Sequence, residues 1–193
     1  MPSPIAHSAM GYVIYRLSKR NPRVKKSLKQ LSPVPLIVIM CFSLIPDMDF
    51  IAGVLLGDLS RFHNNNTHSL IVGLVIALFF AILFSLRNRS AFFAWFWLIL
   101  MSYEMHTVLD FFTHSSRGVM LLWPLSTMRF EAPVDLFYGV RWSDGWISVN
   151  HLWTIVSEIG FVLLIGLVFW LIEKIQSMKT GQQSFMKRMS HFD

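Results

Sequence analysis

Cysteine, charge and polar interruption are what this sequence has least of. A single cysteine, Cys41, in 193 residues excludes an internal disulfide and any zinc or iron–sulfur motif built from several thiolates. Charged residues make up only 15% of the chain and hydrophobic ones 54%, which is too apolar for an ordinary water-soluble domain and indicates a membrane protein. The N-terminal stretch MPSPIAHSAMGYVIYRL has no basic residue ahead of its apolar part and no long uncharged core, so it is not expected to be a cleavable signal peptide. Internal repeats and low-complexity tracts are also missing.

Long apolar runs are what the chain does have. Ser69–Leu86, Ser90–Asp110 and roughly His151–Ile172 are long enough, at about 1.5 Å per residue, to cross the hydrocarbon core of a bilayer. Two further segments, around Pro4–Leu17 and between Pro33 and Pro46, are shorter and suit either a short interior span or a re-entrant piece. The expected fold is an all-α, polytopic membrane bundle of about five segments over residues 1–176, followed by a basic cytoplasmic tail, 177–193.

Basic residues give that bundle an orientation. With five crossings, thirteen lysines and arginines, including the cluster from Lys19 to Lys29, fall on one side, and Arg61, Arg117, Arg129 and Arg141 fall on the other. The positive-inside rule makes the first side cytoplasmic, which places the C-terminus inside and the N-terminus outside. The net charge of +6 is then explained by a cytoplasmic loop in contact with anionic lipid, and no nucleic-acid partner is expected.

The same topology gathers the residues capable of metal chemistry. His7 lies near the outer start of the first segment, Asp47 and Asp49 at the outer end of the second, His68 at the start of the third, and His106 with Asp110 at the end of the fourth. All six reach one membrane level. His106 and Asp110, four apart, project about 40° from one another on a helix and can grip one ion; His114 continues that spacing. Each piece alone has a bland alternative. His-x3-Asp also suits a helix-surface pair, IPDMD suits a turn with an aspartate cap, and Thr67 or Ser69 suits a helix cap. Capping does not account for His68. Intramembrane carboxylates and imidazoles are costly unless paired or functional. Together, neutral imidazole and carboxylate suit zinc, manganese or iron. The loop Phe111–Asn150 is rich in aromatics, among them Trp123, Tyr138, Trp142 and Trp146, which favour the membrane interface.

In order, His7, IPDMDF, RFHNNNTHSL, HTVLDFFTH and GVMLLWPLS resemble the YdjM-type family of LexA-regulated inner-membrane metal-dependent hydrolases, over most of residues 5 to 126. The resemblance implies a bacterial inner-membrane location, expression in the SOS response, and a metal site at His7, Asp47, Asp49, His68, His106 and Asp110. A more distant likeness to zinc-dependent phospholipases C implies a phosphoester substrate and places His114 as a further ligand. Those enzymes continue with His-x3-Glu, whereas here His151 is followed by Ile155, which favours one or two ions over three. The expectation is a divalent metal, zinc first, in a hydrolase acting on a phosphoester, plausibly a membrane phospholipid. Asp47, Asp49 and Asp110 are its candidate catalytic carboxylates. A non-enzymatic metal-binding protein or a transporter is the rival. A transporter needs polar groups through the full bilayer depth, and runs such as VIALFFAILF contain none.

Overall fold

A computed structural model describes residues 4–22, 24–25, 34–57, 65–114, 118–140 and 148–189. These form six α-helices: α1 (Pro4–Ser18), α2 (Val34–Phe42), α3 (Asp49–Leu56), α4 (Leu70–Ser85), α5 (Phe92–Phe111) and α6 (Val149–Met189). Short 3₁₀ turns at Ile45–Met48 and Arg89–Ala91 lead into α3 and α5. Among the described residues there is no strand, only isolated bridges joining Thr113 to Phe137 and Val119 to Phe130. The all-α expectation therefore holds.

The tightest helix pair is set by a stripe of small side chains. Gly73, Ala77, Ala81 and Ser85 recur every fourth residue along α4 and are its buried positions, so they lie on one face. That face packs on α5. A Cβ at Gly73 would run into the Glu104 carboxylate and the Tyr103 ring, so glycine leaves the room that these two α5 side chains occupy. The opposite face, with Leu74, Val75, Leu78, Phe79 and Ile82, is exposed, as a lipid-facing surface must be. Phe42 meets Phe80 edge-on at 4.9 Å, and Phe84 meets Trp95 at 5.1 Å. These aromatic contacts join α2 to the α4–α5 pair. α1 packs against α2 and α5.

Between α2 and α3 the chain bends by 55°. Proline at position 46 opens the 3₁₀ turn. It lacks an N–H and disfavours helical geometry at the residue before it, so a continuous helix cannot pass. The bend leaves Asp47 buried in the turn and Asp49 at the first position of α3. Gly57, with φ of 73°, closes α3 in the left-handed cap that favours glycine.

Among the described residues, two helices are long and apolar enough to cross a membrane, Arg89–Phe111 and Val149–Met178, or three if the bent pair Pro35–Phe42 with Ile45–Leu56 counts as one span. The count of five is not reached on length. α1 and α4 have 15 and 16 residues, or about 22–24 Å, and in α4 the ends of the expected span, Ser69 and Leu86, serve as caps rather than as helix. The last helix runs from Val149 to Met189, starting two residues before and ending well beyond the apolar segment expected at roughly His151–Ile172. The chain forms two compact units, Met1–Glu158 and Ile159–Asp193. The first holds α1 to α5, and the second is the remaining length of α6.

Candidate metal centre

Four elements of the first unit deliver the cluster. α1 contributes His7, the 3₁₀ turn Asp47, the residues ahead of α4 His68, and the last two turns of α5 His106 and Asp110. All five are buried. One donor atom each from Asp47, His68, His106 and Asp110 lies within 4.8 Å of the others. His68 Nε2 stands 3.2 Å from His106 Nε2, 3.0 Å from Asp110 Oδ2 and 3.7 Å from Asp47 Oδ1. His106 Nε2 is 3.3 Å from Asp47 Oδ1 and 3.8 Å from Asp110 Oδ2. An ion at about 2.0–2.1 Å from four tetrahedral donors holds them about 3.3 Å apart. The five separations bracket that value.

The second nitrogen of each imidazole fixes which way the first one faces. His106 Nδ1 is 2.7 Å from the Ser43 carbonyl, which can only accept, so Nδ1 carries the proton and Nε2 presents a lone pair. Thr67 Oγ1 donates to Asp49 Oδ2 at 2.9 Å and lies 3.1 Å from His68 Nδ1. Its proton is committed to the carboxylate, so it accepts from Nδ1–H, and His68 Nε2 also faces the cluster. Two lone pairs aimed at each other across 3.2 Å repel unless a proton or a cation lies between them. Neither oxygen of Asp110 has a hydrogen-bond partner in good geometry despite the nearby imidazoles. Such crowding without alignment is the mark of ligands arranged around a point, and the donor set fits a divalent ion.

Electrostatics add that a proton holds the place of that ion in the metal-free protein. Burial alone would lower the pKa of His68, in the loop ahead of α4, but the Asp110 and Asp47 carboxylates against its ring raise it to about 10. Metal must displace this proton.

The remaining expected residues take different places. Asp49 stands outside the four-donor group, 3.6 Å from His68 Nδ1, and acts on His68 partly through Thr67. His7 stacks on the His106 ring, centroids 3.7 Å apart and planes 16° from parallel, with Nε2 at 3.5 Å from Asp110 Oδ1. It therefore faces the other oxygen of the carboxylate that His68 approaches. His114 does not join the cluster. α5 ends at Phe111, so the helical spacing from His106 and Asp110 stops there, and His114 Nδ1 pairs with Asp135 Oδ2 at 2.7 Å. Arg61, Arg117, Arg141, Trp142 and Trp146 lie outside the described residues. Glu104 faces α4 at Gly73 rather than the cluster.

Three contributors were not anticipated. The Ser43 carbonyl has no side-chain signature. Thr67 reads as a cap, yet Ser69 takes that role by accepting from Ile71 N–H at 3.2 Å. Tyr103, one turn before His106, donates its hydroxyl to the Thr67 carbonyl and steadies the loop that carries His68. The Ser69 hydroxyl and the Leu70 N–H are also bonded to carbonyls of Leu121 and Trp123. The aromatic loop is thereby tied to the entry of α4, beside His68.

The inner membrane protein YbcI of Escherichia coli (strain K12) is 26% identical over 179 residues, covering 88% of this chain and 98% of that protein. No solved structure matches the chain. The family described as YdjM inner membrane protein matches residues 1–182, and the chain belongs to that family.

Proposed function

We propose that the chain is a multi-pass inner-membrane hydrolase that uses a divalent ion, zinc first, to cleave a phosphoester, with a phospholipid as substrate and the site at the outer leaflet. The observation that carries this reading is the four-donor group with its two mutually facing Nε2 atoms, 3.2 Å apart. An ion held there supplies Lewis acidity toward phosphoryl oxygen and a water that ionises near neutral pH. Asp47, His68, His106 and Asp110 bind it, and Thr67 with Asp49 keeps His68 turned inward. Asp110 offers its other oxygen, with His7, as the start of a second ion site. Among the donors for which exposure decides anything, Asp47 keeps 12% of its side chain exposed while His68, His106 and Asp110 keep none. The open edge of the centre is therefore at the 3₁₀ turn, and a phosphate enters past Asp47.

The location follows from the antiparallel α4–α5 pair. His68 precedes the start of α4, and Asp110 sits in the last turn of α5, so both lie at one end of the pair. On the five-crossing arrangement read from the sequence, in which α1 and α4 also cross, the basic bias of the loops assigns that end to the outer face, with the N-terminus outside and the C-terminus cytoplasmic. A headgroup phosphoester lies at that depth, so an embedded enzyme reaches it without lifting the lipid chains out of the bilayer.

One observation favours a second reading. Four protein donors already complete a tetrahedral shell, as in structural sites, whereas catalytic zinc keeps a position open; a metal-binding membrane protein without hydrolytic activity would look alike here. The deciding experiment incubates purified, zinc-loaded protein with phospholipids and with water-soluble phosphodiesters bearing the same headgroups. The hydrolase reading expects cleavage that a chelator abolishes and that is faster on the lipid. Stoichiometric zinc without cleavage of either class would leave the binding protein.

A further inference from the structure

Four residues past Asp110 along the chain, His114 belongs to a second polar feature that the proposed chemistry does not use. His114 and Asp135 line a cleft of about 430 Å³ together with Leu136, Phe137, Tyr138 and Asn150. The pair is 2.7 Å apart and about half exposed, 50% and 45%. An exposed ion pair is ordinarily a weak, mobile contact. This one is built on a fixed frame. His114 N–H donates to the Phe137 carbonyl at 3.0 Å, and Leu136 N–H donates to the Phe112 carbonyl at 2.7 Å. The backbones on either side of the pair are therefore stitched together, so a ligand binds without having to order the main chain that carries the pair.

The chemistry of the lining selects the ligand. Because the Nδ1–H of His114 donates to Asp135 Oδ2, Oδ1 of the carboxylate and Nε2 of the imidazole remain as acceptors. The Tyr138 ring adds an aromatic face, which attracts a cation. Among the described residues that line the cleft, Asp135 is the one carboxylate and His114 the one basic side chain, and the His114 Nδ1–H is already engaged by that carboxylate. Leu136 and Tyr138 on its wall, and Val149 beside Asn150, are exposed large side chains. An acidic floor under an apolar rim matches a lipid ammonium with its chains alongside.

We propose that this cleft binds the ammonium group of an amine-headed phospholipid, with Asp135 as the anionic acceptor and His114 as its positioning partner. His114 follows Asp110 by four residues, and the chain between them turns back through Phe112 N–H to Val108 and Thr113 N–H to Asp110. Cleft and metal centre thus share one end of α5. The ammonium is held in the cleft while the phosphate of the same lipid reaches the metal centre. The inference rests on the phospholipid reading above, and its test reads binding separately from hydrolysis.

Zinc-loaded full-length protein in detergent is titrated with short-chain phosphatidylethanolamine, phosphatidylglycerol and glycerophosphoethanolamine, and binding is followed calorimetrically. One charge-assisted hydrogen bond corresponds to about a tenfold preference. Wild-type protein is therefore expected to bind the ethanolamine lipid about tenfold more tightly than the glycerol lipid, and more tightly than the chainless headgroup. Asp135→Asn is expected to erase the headgroup preference while zinc content is unchanged, and His114→Gln to reduce it. Equal binding of the two lipids by wild type overturns the proposal. So does zinc loss in Asp135→Asn, which would make the pair a support of the metal centre, and so does equal binding of lipid and chainless headgroup. A retained preference in a protein that hydrolyses nothing supports this site and sinks the hydrolase reading alone.

Discussion

Thr67→Val tests whether His68 is held in place as a ligand. Valine keeps the shape of threonine and removes the hydroxyl. In the structure that hydroxyl lies 2.9 Å from Asp49 Oδ2 and 3.1 Å from His68 Nδ1, while the Thr67 carbonyl keeps its bond from Tyr103 and Ser69 keeps the α4 cap. The substitution therefore removes the orienting contact on one ligand and leaves the loop tethered. Loss of such an outer contact lowers metal affinity by about 10–100-fold, or about 1.4–2.8 kcal/mol of binding free energy. The assay is competition for zinc against a chromophoric chelator with purified wild-type and variant protein, with thermal unfolding of both metal-free forms as the control. Weaker zinc binding with a similar unfolding temperature is the expected result. Unchanged zinc affinity would refute the argument that Thr67 sets the tautomer of His68, and a fall in unfolding temperature without loss of affinity would make Thr67 a structural residue only.

Three further outcomes follow. His106→Ala and Asp110→Asn should each abolish stoichiometric zinc, measured by elemental analysis, in protein that still reaches the membrane; full metal retention in both would make them a helix-surface pair. Because the pKa of His68 is raised to about 10 by the carboxylates beside it, zinc binding below that pH must release its proton, so affinity should rise about tenfold per pH unit between pH 6 and 8 with proton release visible in weakly buffered solution; a pH-independent affinity contradicts this. A reporter fused after Asp193 should read cytoplasmic and one inserted near Ser126 periplasmic, and the same side for both would end the outer-leaflet assignment.

Part of the centre was legible because one simple periodicity carries it: His106 and Asp110 stand one helical turn apart on an apolar helix. The small-residue stripe of α4, which marks the face that packs on α5, lies hidden in a run that reads only as apolar. Other parts were not legible for physical reasons. The proline at 46 announces a break, but the chain passes from a 3₁₀ turn to an α-helix between Asp47 and Asp49, so no single period tells which aspartate points inward. His114 continues the spacing of His106 and Asp110 on paper, yet α5 stops at Phe111 and its partner Asp135 lies 21 residues away. The Ser43 carbonyl that orients His106 is a backbone atom, freed because the bend interrupts α2, and no residue type signals it. Hydropathy counts apolar residues without registering bends or caps, which is why five spans were expected where length supports two or three.

The central claim is that Asp47, His68, His106 and Asp110 surround one ion. X-ray absorption at the zinc edge of stoichiometrically loaded protein tests it most directly. The account predicts a first shell of about four nitrogen and oxygen neighbours near about 2.0–2.1 Å, with the outer-shell scattering of two imidazoles and no sulfur. A sulfur neighbour, which only Cys41 or a methionine could supply, or a shell without imidazole scattering, would contradict it.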